Sequence, residues 1–218
     1  NYMKNILAIG AHSDDVEFGC GGTLIKHVKN GDNVHILIMS NGNMKHSVTG
    51  EVIRTIKQTN VECKNGASII GANLIQLNFS DRKVPFDTDS ISAIENVINL
   101  HNIDTIYTHW SGDTHQDHIN TLQSSLSAGR LVDNVLCYEQ VPVPRVTNVY
   151  PVANYYVDIT PYMDIKIKSC KSHESQINKY LKSKIDMIDG LDILARYRGN
   201  QINRKYAEAF DVLKMVSG

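Results

Sequence analysis

The chain has 218 residues, of which 42% are hydrophobic and 21% are charged, and its formal net charge is -1 at pH 7. This composition is typical of a globular protein with a full core, so we expect one domain over residues 3–218. The small net charge argues against a nucleic acid or an anionic membrane as the partner. The sequence shows neither a membrane span nor a signal peptide, so we expect a cytoplasmic protein.

In the first two thirds of the chain, short apolar runs alternate with amphipathic segments. The apolar runs predict buried strands over residues 5–10, 34–40, 74–79, 104–108 and 135–139. The segments between them predict helices over residues 23–30, 51–70, 90–101 and about 117–128. Strands and helices that alternate in this way form right-handed βαβ units. We therefore predict an α/β, Rossmann-like fold, with a mainly parallel, twisted sheet flanked by helices.

The last third of the chain predicts a smaller extension of strands and helices. It comprises a proline-rich loop, an edge strand or hairpin member, and two helices, over residues 141–151, 155–159, 162–180 and 204–215. Three lysines are expected to be exposed on the first of these helices: Lys166, Lys168 and Lys171. The loop at residues 41–50 follows the end of a strand, so we expect it to fold over a site at that edge of the sheet.

The four cysteines are scattered and show no Cys-x-x-Cys spacing. We expect them to be reduced residues of the core. Because Cys20 lies near the polar cluster described next, a reactive thiol at that position is the alternative.

A polar cluster follows the first predicted strand. His12, Asp14 and Asp15 come just past the end of this strand, where ligands bind in open parallel sheets. His12 and Asp15 are three residues apart on one turn, so both can reach one metal ion while Asp14 points elsewhere. In the alternative interpretation, Asp15 only caps the helix that follows. Glu17 is expected to be solvated or to cap that helix.

A second polar cluster, Asp113-Thr114-His115-Gln116-Asp117-His118, follows the fourth predicted strand. One ligand from this cluster would complete a catalytic zinc site, which takes three protein ligands and leaves one position for water. Spacing alone does not choose between His115 and His118 as that ligand.

The remaining residues of the two clusters suit acid–base chemistry. Asp14 is placed to act as a general base on metal-bound water. In its protonated form, His115 can stabilise an oxyanion or protonate a leaving amine, and Asp117 can fix its tautomer and raise its pKa. The alternative is that Asp117 caps its own helix and that the two histidines are ordinary surface residues.

The glycine cluster offers a rival hypothesis, since a strand, glycines and a helix are the context of a dinucleotide-binding turn. Gly19, Gly21 and Gly22 do not fit the G-x-G-x-x-G spacing, and the acidic residues before them would repel a pyrophosphate. We interpret these glycines as permitting a tight turn and close helix–sheet packing. A nucleotide-binding module without hydrolysis remains the alternative function.

Two segments resemble the signature of the LmbE-like, or PIG-L, superfamily of zinc-dependent N-deacetylases. They are the stretch from Ala11 to Leu24, which contains Ala-His-Ser-Asp-Asp, and the second polar cluster at residues 113–118. The resemblance implies three roles, namely zinc ligands His12, Asp15 and His118, general base Asp14, and acid or oxyanion partner His115 with Asp117 behind it.

The sequence departs from the family pattern at three positions, and Val16, which replaces the glutamate of the first motif, is one of them. Ser13 replaces the proline of the first motif, and Thr59 occupies the arginine position of an Arg-x-x-Glu motif that Glu62 otherwise fits. In the family this arginine contacts the substrate, and we predict that Arg54 substitutes for it. Asp81 lies in a segment that resembles the family's Phe-Pro-Asp-Gly, so it is expected near the substrate.

The resemblance implies a metal-dependent amidohydrolase. It would convert an N-acetylglucosamine-type sugar or glycoconjugate to a free amine and acetate. An amidase acting on a cysteinyl-glucosamine-type thiol conjugate is the alternative within enzymes. The expected cofactor is Zn²⁺, with Fe²⁺ as the alternative, and a homo-oligomer is compatible with the resemblance. His173 and Gln176 are expected to link the carboxyl-terminal helices to the core.

Overall fold

The computed structural model describes residues 3–45, 48–140 and 152–217. These residues form a seven-stranded sheet and a separate two-stranded hairpin. The strands of the sheet are Asn5–Gly10 (β1), Asn33–Ser40 (β2), Asn73–Phe79 (β5), Thr105–His109 (β6), Asn134–Tyr138 (β7), Tyr155–Asp158 (β8) and Ala207–Lys214 (β9). The hairpin pairs Met44–Lys45 (β3) with Val52–Arg54 (β4).

The helices are Asp15–Lys29 (α1), Ile56–Ile70 (α2), Thr88–His101 (α3), Gln116–Ala128 (α4), Met163–Cys170 (α5), Glu174–Lys182 (α6) and Met187–Gln201 (α7). A short 3₁₀ turn over Thr160–Tyr162 precedes α5, with Pro161 near its start as expected. No helix in the described part of the chain combines the length and the apolarity that a membrane crossing needs.

The sheet has the strand order β5-β2-β1-β6-β7-β9-β8. The first five strands in this order are parallel, whereas β9 pairs antiparallel with both β7 and β8. The predicted α/β fold with a mainly parallel sheet is therefore confirmed, and β8 is the edge strand that the alternation predicted. The proline-rich loop predicted at 141–151 lies outside the described residues.

The central strands are buried on both faces, which explains why they read as continuous apolar runs. Ile6 and Ala8 of β1 point into a core formed with α1, α2, α5 and α7. Leu7 and Ile9 point to the opposite face, into a core formed with α3 and α4. This two-residue alternation places helices on both sides of the sheet and leaves the carboxyl edge of the strands for polar loops.

The glycine cluster lies inside α1, which begins at Asp15 rather than at residue 23 as predicted. A Cβ atom on Gly19 would lie 2.3 Å from the Tyr138 ring, and one on Gly22 would lie 2.8 Å from the Ile159 side chain. The expectation of close helix–sheet packing is confirmed. In place of the expected tight turn, two helical segments meet at a kink at Cys20, within the glycine cluster.

A buried carboxylate supports a break in α1 at Cys20, whose φ of -138° is not helical. The backbone N–H groups of Gly22 and Thr23 donate to the Glu208 carboxylate at 2.8 and 2.7 Å. This carboxylate thus satisfies N–H groups at the break, as a cap does at a helix start. Lys166 donates to Glu208 at 2.5 Å, and both side chains are buried. The prediction that Lys166 is exposed is therefore wrong, whereas Lys168 and Lys171 are exposed.

Replacing Lys166 with methionine is expected to lower the free energy of unfolding by about 3 kcal/mol, because Glu208 would remain buried without its cation. Urea denaturation followed by circular dichroism measures this change. Lys168→Met is the matched control on the same helix. Since Lys168 is exposed, its replacement should change the free energy by less than about 0.5 kcal/mol. Equal losses in the two variants would show that the buried pair does not stabilise the fold.

The carboxyl-terminal third contains the largest errors of the sequence prediction. The helix predicted over 204–215 is wrong, because residues 207–214 form β9 between β7 and β8. Their Ala, Glu and Leu residues have good helix propensity, but pairing with two strands and burial of Phe210 override it. Helix α7 was not predicted, although Asp186 caps its start by accepting the N–H groups of Ile188 and Asp189.

Two predicted helices are shorter than expected. The helix predicted over 162–180 is split into α5 and α6, since His173 between them is fully buried and draws the chain inward. Helix α2 starts at Ile56 rather than near residue 51, because the preceding residues form β4 and Thr55 accepts the Gln58 N–H as a cap.

Candidate active site

Polar side chains meet at the carboxyl edge of the central strands. The turn after β1 supplies His12, Asp14 and Asp15, and the segment after β6 supplies His115 and His118. Together they line a cavity that is completed by loops of the sheet and by α6. Its further lining includes Met44, Asp81, Arg82, Gln140, Gln176 and Lys179. The structure thus brings the two predicted clusters together, and Met44 shows that the loop after β2 reaches the site as expected.

His12, Asp15 and His118 approach one another closely. The His12 Nδ1 atom lies 3.1 Å from His118 Nε2 and 3.5 Å from Asp15 Oδ2. His118 Nε2 lies 3.4 Å from Asp15 Oδ1. All three residues are buried. Two imidazole nitrogens and a carboxylate therefore face a common point, which is the donor set of a zinc or ferrous site.

Each of these two histidines has a carboxylate behind its other nitrogen. His12 Nε2 lies 2.9 Å from Asp117 Oδ2, and His118 Nδ1 lies 2.7 Å from Asp113 Oδ2. Such carboxylates orient metal-binding imidazoles and fix the tautomer that leaves the facing nitrogen free. Sequence reasoning did not assign this role to Asp113, although the residue stands in the second motif.

The predicted partnership of Asp117 with His115 is replaced by the contact with His12. The Asp117 carboxylate also accepts the backbone N–H groups of Arg82 and Val84, at 2.7 and 3.2 Å. Asp117 therefore joins the turn after β5 to His12.

Electrostatics at His12 favour a cation. Burial acts to lower the pKa of His12, but the carboxylates of Asp117 and Asp15 outweigh burial and raise it to about 10. For Asp15, burial acts to raise the pKa, but His118 and His109 outweigh it and hold the pKa well below its usual range. The surroundings thus stabilise positive charge beside an ionised carboxylate, which is what a divalent cation requires.

The Asp15 carboxylate makes its hydrogen bonds within the site and does not cap α1. Its Oδ2 accepts the His12 backbone N–H at 2.7 Å, and Gln140 Nε2 donates to its Oδ1 at 3.2 Å. The N-cap of α1 is Asp14, and its side chain makes no capping hydrogen bond. The Asp14 carboxylate lines the cavity and receives no hydrogen bond from the described residues.

His109, at the end of β6, is a site residue that sequence reasoning missed. Its ring stacks on His118 with centroids 4.1 Å apart, and its Nε2 lies 3.3 Å from Asp15 Oδ2. That nitrogen already accepts the Ala11 backbone N–H at 2.9 Å. Burial and the nearby His118 lower the pKa of His109 to about 4. His109 is thus a neutral ring packed against the site. Its only signal in the sequence was its position at the end of an apolar strand.

His115 is held in one tautomer by a backbone group. Its Nδ1 accepts the Asp117 N–H at 3.2 Å, so the neutral ring carries its proton on Nε2. Burial, reinforced by His12 and His118, lowers the pKa of His115 to about 4. The expectation of a raised pKa is therefore wrong, and at pH 7 the ring is a neutral hydrogen-bond donor.

Ser13 and Thr59, two of the departures from the family pattern, both lie beside Arg54. This arginine is almost fully buried, and its Nη1 donates to Ser13 Oγ at 2.7 Å while its Nε donates to the Gly42 carbonyl at 3.0 Å. Thr59 donates to the same carbonyl at 3.1 Å. Arg54 Nη1 lies 4.0 Å from Glu62 Oε2. Arg54 is therefore close to the residue that fits the glutamate of the family's Arg-x-x-Glu motif.

Asp81 lies between His12 and Arg54. Its Oδ1 is 3.7 Å from His12 Nε2, and its Oδ2 is 3.9 Å from Arg54 Nη2. Asp81 Oδ2 and Arg54 Nη2 are both buried and have no hydrogen-bond partner among the described residues. Of the two predicted substrate-binding residues, Asp81 lines the cavity, whereas Arg54 lies behind it.

Glu17 is neither solvated nor a cap, which corrects the sequence prediction. It is buried, and its Oε1 lies 3.1 Å from Nε2 of the buried His173. The contact ties the start of α6 to α1, so the linking role predicted for His173 is confirmed. Gln176 on α6 lines the cavity.

Comparisons with known proteins agree with these observations. Residues 7–128 match the PIG-L family, described as GlcNAc-PI de-N-acetylase. The uncharacterized deacetylase YaiS of Escherichia coli K12 is 32% identical over 182 residues, covering 80% of this chain and 93% of YaiS. Diacetylchitobiose deacetylase of Thermococcus kodakarensis is 27% identical over 227 residues, covering 95% of this chain and 82% of that enzyme.

The fold is also shared with an enzyme of a different reaction class. The crystal structure of GalB, the 4-carboxy-2-hydroxymuconate hydratase of Pseudomonas putida KT2440, gives a TM-score of 0.81 at 21% identity and covers 99% of this chain and 98% of GalB. That likeness shows the fold alone. The family match spans more than half of the chain and includes the first motif and the second, so the chain belongs to the PIG-L family.

Proposed function

We propose that this protein is a metal-dependent N-deacetylase that hydrolyses the acetamide of an N-acetylglucosamine-type sugar or glycoconjugate. The observation that carries the proposal is the close approach of His12, Asp15 and His118 beside the free carboxylate of Asp14. The deacetylase names of YaiS and of the Thermococcus enzyme support the reaction class, and the latter name supports an N-acetylated sugar as substrate.

The proposed metal ligands are His12 Nδ1, Asp15 and His118 Nε2. Three groupings at the site have ligand atoms within 4.8 Å of one another, namely His12/His115/His118, Asp15/His109/His118 and His12/Asp81/Asp117. The proposed set takes its members from the first two. His109 Nε2 is engaged by a backbone N–H, and the Asp117 carboxylate by two. His118 is favoured over His115 because Asp113 holds its Nδ1 and leaves Nε2 facing Asp15. A divalent cation held there supplies an acidic water and a polarised carbonyl.

Asp14 and His115 carry the proton chemistry in this proposal. The Asp14 carboxylate takes a proton from the water whose oxygen adds to the acetamide carbon. His115 Nε2–H donates a hydrogen bond to the carbonyl oxygen as negative charge develops on it. Asp14 then passes its proton to the amide nitrogen as the C–N bond breaks. The products are acetate and the amine, which takes up the second proton of the water from the nascent acetic acid and leaves as an ammonium.

Asp81 and Arg54 are the proposed substrate-binding pair. Asp81 lines the cavity and can accept a hydrogen bond from a sugar hydroxyl. Arg54 lies behind it, with Nη2 3.9 Å from Asp81 Oδ2, and acts on the substrate through that carboxylate. This arrangement makes Arg54 the replacement for the arginine missing at Thr59, and Ser13 its support.

Acetate release from N-acetylated sugars tests the proposal. Protein loaded with Zn²⁺ or with Fe²⁺ is expected to release acetate and amine in equal amounts from N-acetylglucosamine or diacetylchitobiose, as measured by NMR and by amine labelling. N-cysteinyl-glucosamine serves as the comparison substrate. Cleavage of that conjugate alone would favour the thiol-conjugate amidase. If metal-loaded protein cleaved none of the three, the proposed activity would be wrong.

A further inference from the structure

Two cationic side chains share the cavity with the proposed catalytic residues. Lys179 reaches it from α6, and Arg82 from the turn after β5. Lys179 is half-buried, whereas Arg82 is exposed at the rim. Neither cation lies within 4.0 Å of a carboxylate among the residues that the structure describes, so neither is used in an ion pair.

The backbone at Arg82 is held in a conformation that few side chains adopt. Its φ is +62°, in the left-handed region that favours glycine and asparagine. Asp117 stabilises this conformation by accepting the Arg82 and Val84 N–H groups. A strained backbone fixed by a residue of the site is typical of a functional position. The Arg82 guanidinium donates to the Lys45 carbonyl at 3.3 Å through Nη2, which holds the group at the rim of the cavity.

The cavity lining carries charges of both signs. Its carboxylates are those of Asp14, Asp15 and Asp81, and the buried carboxylates of Asp117 and Asp113 are engaged by His12 and His118. None of them pairs with Arg82 or Lys179 among the described residues, so both cations are available to an anionic group of a ligand. Lys179 is also poorly solvated. Burial lowers its pKa, and the carboxylates of Asp14 and Asp81 offset this only in part.

We propose that the substrate is an N-acetylated amino sugar that carries an anionic group, which Arg82 and Lys179 bind. The inference rests on the proposed deacetylase function and narrows its substrate class. A phosphate or a carboxylate has the required chemistry, since guanidinium and ammonium groups form strong charge-assisted hydrogen bonds with both. The acetamide would then lie against Asp14 while the anion lies towards α6.

Equilibrium binding of unreactive analogues tests this inference separately from catalysis. The probes are sugars whose acetamide is replaced by methanesulfonamide, which the enzyme cannot hydrolyse. They derive from glucosamine, glucosamine 1-phosphate, glucosamine 6-phosphate and muramic acid. By calorimetry on metal-loaded protein, at least one anionic probe is expected to bind tenfold or more tighter than the neutral one. The phosphate and carboxylate probes identify which anion is preferred.

Charge-removing variants show where the preference arises. Lys179→Gln and Arg82→Asn are each expected to reduce it at least threefold, with the neutral probe unaffected. Asparagine suits the left-handed backbone at position 82. Lys182→Gln, on the same helix, and Lys83→Gln, beside Arg82, are the matched controls, because both lysines are exposed and outside the cavity lining.

The outcomes separate this inference from the proposed function. Anionic probes that bind no tighter than the neutral probe, or no binding of any probe, would overturn the inference even if N-acetyl sugars are deacetylated. A preference that survives in the double variant Lys179→Gln/Arg82→Asn would do the same. If the preference depends on both residues but no sugar is hydrolysed, the anion site stands and the deacetylase proposal fails.

Discussion

Replacing Asp14 with asparagine is expected to lower kcat for acetate release roughly 100- to 10,000-fold, while the protein keeps its fold and its metal. Asparagine retains the size of the side chain but cannot accept the proton of the attacking water. In the described chain the Asp14 carboxylate receives no hydrogen bond, and it does not cap α1. The substitution therefore breaks no interaction that stabilises the fold.

The size of the expected loss follows from the state of His115. A protonated imidazole could deliver a proton to the leaving amine and so replace Asp14 in part. Burial and the nearby imidazoles lower the pKa of His115 to about 4, and a bound cation would act in the same direction. Asp14 is then left as the group that both takes and returns the proton.

The comparison needs acetate release, metal content and urea stability for the wild-type protein and two variants. Asp89→Asn is the matched control, because Asp89 is exposed in α3 and lies outside the cavity lining. It should retain the wild-type rate. An Asp14→Asn variant that hydrolyses at the wild-type rate would show that Asp14 is not the base.

The sequence predicts the parallel part of the fold because its signals are local. The β1 run and the amphipathic stripe of α3 each come from a few consecutive residues whose periodicity reports burial. By contrast, β9 is a strand only because β7 and β8 lie on either side of it. Lys166 looked like a surface lysine because its partner, Glu208, is 42 residues away. No local pattern carries such information.

The same division applies to the candidate site. Spacing and family resemblance predict His12, Asp14, Asp15 and His118 as site residues, since each motif is a short run of consecutive residues. The supporting contacts could not be predicted, because they depend on how separate loops meet. Asp117 faces His12 rather than its neighbour His115, and only the folded chain shows that contact.

Replacing His12 with alanine is expected to remove the bound metal and with it all measurable hydrolysis. Wild-type protein incubated with Zn²⁺ or Fe²⁺ should hold about one ion per chain, as in other sites of three protein ligands. His12 Nδ1 lies against both other proposed ligands, at 3.1 Å from His118 and 3.5 Å from Asp15. Without it, two ligands remain, and elemental analysis after gel filtration should find less than about one ion in ten chains.

Asp113→Asn provides a graded comparison. The amide oxygen can still accept from His118 Nδ1, now held at 2.7 Å by the carboxylate, but it no longer makes the imidazole a stronger ligand. Metal affinity is therefore expected to fall about 10- to 100-fold, as measured by competition with a chelator.

His101→Ala is the control for both variants, because His101 contacts His35 away from the cavity. This variant should bind metal normally. If His12→Ala bound metal as tightly as His101→Ala, His12 would not be a ligand. If wild-type protein bound neither ion, the proposed metal site itself would be wrong.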